Sequence, residues 1–115
     1  MTNTVDQVQD FSLLQDKVKR QPLLYKPEFL SVLATFHPLY QTLRDEPAKP
    51  AMQACKVLIF LANVSHHFKN DLLFLKTEIV TTLEQYYAVL HHDTLFSFVK
   101  ALITLRQKEE LPAQV

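Results

Sequence analysis

Apolar side chains recur at every third or fourth position along most of the chain, the spacing that gathers them on one face of an α-helix. In the first segment, from Asp6 to Arg20, the stripe is Val5, Val8, Phe11, Leu14 and Val18, set against polar Gln9, Asp10, Asp16, Lys17 and Lys19. Thr4 and Gln7 have the form of a capping box at its start, and Pro22 stops it. Pro27 suits the first turn of a second helix, where its missing N–H costs nothing. That helix carries the stripe Phe29, Leu33, Phe36, Tyr40 and Leu43. Pro38 falls inside it and is expected to kink the helix or split it near His37. The stretch from Asp45 to Pro50 holds two prolines and reads as the longest loop.

The third helix, Ala51 to Ser65, is apolar on every side from Val57 to Ala62. A helix without a polar face is covered on more than one side, so this one is expected at the centre. After a loop from His66 to Asn70, a fourth helix is predicted from Asp71 to Leu90 on Leu72, Leu75, Ile79, Leu83, Tyr86 and Leu90, with crowded β-branched residues allowing a break near Lys76. Asp93 is a suitable N-cap for a fifth helix running to Lys108. Ser97, Lys100, Thr104 and Gln107 form its narrow polar face, and Leu95, Phe96, Phe98, Val99, Leu102, Ile103 and Leu105 cover the rest. So wide an apolar surface calls for a neighbour beyond the last helix.

The fold class that follows is all-α: about five amphipathic helices in antiparallel pairs, residues 1–115 forming one helical-repeat module. Two packings satisfy this, a closed bundle and a HEAT/armadillo-like α-solenoid fragment with a period of roughly 40 residues. Residue-level self-similarity at that period is not visible. A solenoid needs polar caps, and the apolar fifth helix is a poor one. The chain is therefore expected to be cut from a longer one or unusually short, with the exposed flank of its last helix prone to self-association.

Composition narrows the chemistry. Glycine is absent, where average usage of about 7% would supply about eight. Glycine-rich phosphate loops are excluded, and folds with many positive-φ turns are disfavoured. Twelve basic residues balance twelve acidic ones, so the chain as a whole lacks the excess positive charge of a general nucleic-acid binder. The lone Cys55 lies in an apolar run and reads as a small buried hydrophobe. The uninterrupted apolar run is far shorter than the roughly 20 residues of a membrane span, so no membrane partner is expected, and the polar start of the chain has no targeting character.

No constellation for catalysis emerges, and the expectation is a non-enzyme with no catalytic, cofactor or metal site. His66–His67 and His91–His92 are adjacent pairs whose side chains diverge by about 100° on a helix, and no two histidines are four apart. Both pairs fall at predicted helix ends, where imidazole can bond free carbonyls at the negative end of the dipole. Ser65 beside His66 is a sequence neighbour and does not make a triad. The aromatics Phe11, Phe29, Phe36, Phe60 and Phe98 lie on apolar faces and read as core. Two basic clusters remain, Lys17, Lys19, Arg20 and Lys26 near the first interhelix turn, and Arg106 and Lys108 at the end of the fifth helix. Antiparallel stacking would let them share an edge able to meet RNA phosphate or an acidic protein; the plain alternative is a solvated helix end favoured by the dipole.

Three separated blocks carry a resemblance. LLQDKVKRQPLLYKPEFL at 13–30 supplies Leu14, Gln15, Lys19, Arg20, Pro22, Tyr25, Glu28, Phe29 and Leu30; FLANVSH stands at 60–66 and KALITLRQK at 100–108. In order and spacing they resemble the N-terminal region of the Sda-one (severe depolymerisation of actin) family. The family differs in carrying a Cys and Tyr-Pro after its Ser-His, where His67, Phe68 and Lys69 stand here, in Asn for Gln107, and in keeping continuous the helix that Pro38 is expected to break. The resemblance implies a non-enzymatic nuclear and nucleolar factor for assembly and export of the large ribosomal subunit, with a link to actin cytoskeleton organisation. Its partners would be pre-ribosomal particle proteins and rRNA, reached through Lys17, Lys19, Arg20, Arg106 and Lys108. No cofactor or small-molecule substrate is implied. The rival reading is a generic helical-repeat adapter that binds a protein partner and has no ribosomal role.

Overall fold

The central position expected for the third helix organises the whole molecule. A computed structural model describes residues 11–110, with the side chains of 109 and 110 left aside. Five α-helices follow one another: α1 (Ser12–Arg20), α2 (Lys26–Asp45), α3 (Met52–Asn63), α4 (Leu73–Tyr86) and α5 (His92–Glu110), with a 3₁₀ turn at Ser65–His67 after α3. Among the described residues there is no strand. The helix α3 packs against α1, α2 and α5, and α4 packs against α5. The odd-numbered helices thus form one layer. The even-numbered helices form the other, and the slab measures 41 × 39 × 18 Å. This is an all-α fold whose pairs α2–α3 and α4–α5 stack side by side.

Burial follows the stripes. Ala54, Cys55, Val57, Leu58, Phe60, Leu61 and Ala62 of α3 are buried, covering nearly its full circumference. From α2 come Phe29, Phe36, Tyr40 and Leu43. Each Val, Leu or Phe among them contributes about 1.5–3 kcal/mol when fully removed from water. Aromatic rings tie the elements together: Phe29 stacks on Phe68 at 4.0 Å, Phe11 packs against Phe60 at 5.1 Å, and Phe36 reaches Phe74 at 6.3 Å between ring centroids.

Without glycine, α1 and α2 end by straightening. The caps Gln21 and Glu46 lie at φ −140° and −135°, and no described residue has positive φ. Each cap N–H still bonds a carbonyl of the last turn, Gln21 to Lys17 at 2.9 Å and Glu46 to Thr42 at 3.1 Å.

Several expectations are corrected. The helix α2 runs through Pro38 as one element, so the split near His37 does not occur. The ring removes one N–H from the ladder, but burial of Phe36, Tyr40 and Leu43 on either side outweighs that loss. Likewise α4 passes Lys76 without a break, and it stops at Tyr86. Beyond it the Tyr86 carbonyl accepts from both Val89 and Leu90, tightening the chain into a turn, and the His91 N–H donates to the Pro47 carbonyl at 2.9 Å. Asp93 is not the N-cap of α5. The helix begins at His92, Asp93 sits in its first turn, and the Asp93 N–H donates to His91 Nδ1 at 3.1 Å. An imidazole therefore caps the positive end of α5, the opposite of the carbonyl-bonding role expected for this pair. The start of the first predicted helix and its Thr4–Gln7 box lie outside the described residues.

Candidate functional site

The two basic clusters lie at opposite ends of the sequence, and stacking brings members of both to one turn. Val64, Phe68 and Leu72 are buried, so the chain leaving α3 is pinned to the core at three points. Between them His66 and His67 are only half-buried, their ring centroids 3.9 Å apart. Burial, followed by the charges of His67, Lys108, Lys19 and Lys69, lowers the His66 pKa from 6.5 to about 4. His67 is lowered as well, by burial first and then by Lys108 and Lys19. Lys19 from α1 and Lys108 from α5 thus act on the same imidazoles. Buried His66 Nδ1 has no hydrogen-bond partner among the described residues.

Beside this turn is a cavity of about 310 Å³ between the 3₁₀ turn, α4 and the last turns of α5. Its walls include Ser65, His66, Lys69, Lys76, Thr77 and Lys108, over Leu72, Leu73 and Leu105. None of the described residues lining it is acidic. Placed in a partly apolar recess, cations interact more strongly with an anion than they would in open water.

The other predicted contacts lie apart from the cavity. Lys17 is exposed and stands 5.7 Å from the centre of the Tyr25 ring, a cation–π contact. Arg20 and Arg106 are exposed. Lys26 pairs with Asp71 at 3.5 Å and ties the start of α2 to the turn before α4. Lys69 and Lys76 were not singled out from the sequence. Their only signal was a position in or just after the turn that follows the histidine pair.

The second histidine pair forms its own group. His91, His92 and Asp93 place one potential ligand atom each within 4.8 Å of the others, so adjacency in sequence did not keep them apart as expected. His91 Nδ1 is already engaged by the Asp93 N–H, and His92 and Asp93 are exposed. The geometry serves the helix start.

A larger cavity of about 480 Å³ opens between α1, α3 and the first turns of α5, with Cys55 in its wall. Asn63 donates to Gln15 at 3.0 Å across its end. Cys55 is a free, buried thiol, as its apolar surroundings predict. No described helix is long and apolar enough to cross a membrane.

The chain is similar to the proteins named Protein SDA1 homolog of Xenopus tropicalis and Xenopus laevis, with 28% identity over 102 residues in each case. The similarity covers 89% of this chain but 15% of each relative, so the chain spans about one-seventh of the proteins it matches. It links the chain to the family that the three sequence blocks resemble. No family model matches.

Proposed function

We propose that this chain is a non-enzymatic scaffold for assembly and export of the large ribosomal subunit, acting in the nucleus and nucleolus. The observation that carries the reading is the extent of the similarity to the SDA1 homologs, which runs over 89% of the chain. The layered helix pairs support it, since stacks of this kind present extended surfaces to large partners. On this reading Lys17, Lys19, Arg20, Arg106 and Lys108 meet the pre-ribosomal particle, its proteins and rRNA, and the module is the opening portion of a longer helical array. A role in actin cytoskeleton organisation belongs to the same reading.

The test is sedimentation of the tagged chain from nuclear extract. It should travel with large-subunit precursors, and charge reversal at Lys19 and Lys108 should reduce its recovery with them. A chain that stays at the top of the gradient removes the ribosomal reading. A particle recovered equally by the reversed variant removes these residues as contacts.

One observation favours the adapter as a second reading. Phe96, Val99 and Ile103 of α5 are 68%, 40% and 52% exposed and follow one another at helical spacing, a surface fit for an apolar partner helix. An adapter of this kind would be captured with a protein partner and would not co-sediment with precursor subunits.

A further inference from the structure

We propose that residues 4–10 continue α1 backwards along α3 and close the cavity of about 480 Å³ between α1, α3 and α5 with Val5 and Val8. The occupant is the chain's own N-terminal segment. Its place beside Cys55, the single cysteine, makes it the cover of that thiol.

Two contacts fix how α1 runs against α3. Phe11 packs on Phe60, and Asn63 donates to Gln15 at 3.0 Å. Four residues onward in α1 correspond to three onward in α3, so the two helices run in the same direction and nearly in step. Followed backwards, that register brings Val8 level with Lys56 and Val5 level with Gln53. The cavity lies along this line, where Met52, Cys55, Lys56 and Ile59 of α3 form its wall. Their spacing places them on one helix face. Seven helical residues span about 10 Å, the same length as the stretch of α3 from Ile59 back to Met52.

The side chains of the segment suit that face. Ser12 and Gln15 line the cavity, and Val5 and Val8 stand seven residues before them. Seven residues are close to two turns, so both valines fall on the side of the helix that already looks into the cavity. Residues 4–10 include neither proline nor glycine, so nothing in them stops a helix. Met52, 60% exposed, and half-buried Ile59 supply apolar surface for the two valines to cover. Charge agrees with this. Lys56 is exposed and makes no ion pair among the described residues, and the segment brings Asp6 and Asp10 with no lysine or arginine. Tethering at Phe11 also gives the segment an effective concentration on the order of millimolar, which an untethered partner or a second copy must exceed.

The experiment uses the 115-residue chain with carbon-13-labelled methyl groups. NOEs are expected within one chain from the Val8 methyls to Ile59 and from the Val5 methyls to Met52. Alkylation of Cys55 by iodoacetamide should be about tenfold faster in a chain lacking residues 2–10, because access to the sulfur limits the reaction. Val5→Asp with Val8→Asp should raise the rate similarly at unchanged length. Absence of those NOEs overturns the proposal, as do equal alkylation rates in the full chain and the variants. NOEs found only between differently labelled chains overturn it too, and assign the groove to a second copy. If shortening or substitution unfolds the domain, the NOEs of the wild-type chain decide the matter.

Discussion

The hydroxyls of Tyr40 on α2 and Thr82 on α4 are hydrogen-bonded to each other inside the core. Tyr40 also donates to the Glu78 carbonyl at 3.3 Å, and burial raises its pKa above the usual 10.0. Few backbone contacts join α2 to α4, so this bond and the Phe36–Phe74 contact carry much of the link within the even-numbered layer.

A double-mutant cycle should expose that link. Tyr40→Phe leaves the Thr82 hydroxyl, 1% exposed, without its partner, and should cost about 1–3 kcal/mol. Thr82→Val should cost less, because Tyr40 keeps the Glu78 carbonyl. Replacing both removes donor and acceptor together, so urea unfolding should show a loss well below the sum of the two. A strictly additive result would mean that the two hydroxyls do not act as a pair.

Thr94 is fully buried in α5, and its hydroxyl has no hydrogen-bond partner among the described residues. Thr94→Val keeps the shape and removes the stranded polar atom, which should stabilise the fold by about 1 kcal/mol. Differential scanning calorimetry should record a melting temperature higher by about 4–8 °C. An unchanged or lower Tm would show that the hydroxyl is satisfied in solution.

His66 predicts the direction of acid destabilisation. Its folded pKa of about 4 lies below the unfolded 6.5, so between these values the unfolded chain binds more protons than the folded one. Stability is then fully present above pH 6.5 and falls as the pH drops through that window. His67 is shifted in the same direction. Thermal melts should show Tm falling from pH 7 to pH 5, and His66→Gln should reduce that fall. An equally steep profile in the variant would place the acid sensitivity elsewhere.

The exposed α5 stripe predicts self-association. Phe96 and Ile103 leave large apolar surface in water, and contiguous patches of this kind drive contacts between copies. Light scattering should show the average mass of the wild-type chain rising with concentration. Phe96→Lys with Ile103→Lys should keep it monomeric, and stability should change by no more than about 0.5 kcal/mol because both positions are already exposed. A wild-type monomer at every concentration would contradict this expectation.

Helices were legible from the residues because their signal is local. Stripes such as Phe29–Phe36–Tyr40–Leu43 repeat within a few turns, and an all-apolar run such as Val57–Ala62 implies cover on several sides wherever the neighbours come from. Boundaries were less legible. The start of α5 depends on whether the Asp93 carboxylate or the His91 imidazole takes the first free N–H, a choice between neighbours that composition does not decide. Pro38 showed the same limit, since its local cost was outweighed by burial supplied by other helices.

From its sequence alone, this protein is an all-helical chain with a central α3, aromatic core positions and an apolar flank on α5. Those properties follow from side-chain spacing on a regular backbone. Only the tertiary structure decided that Lys19 and Lys108 would act on the same two imidazoles, and that Lys69 and Lys76 would join Lys108 around one cavity. Convergence of that kind depends on which helices stack, and stacking is set by the fit of buried surfaces that lie far apart along the chain.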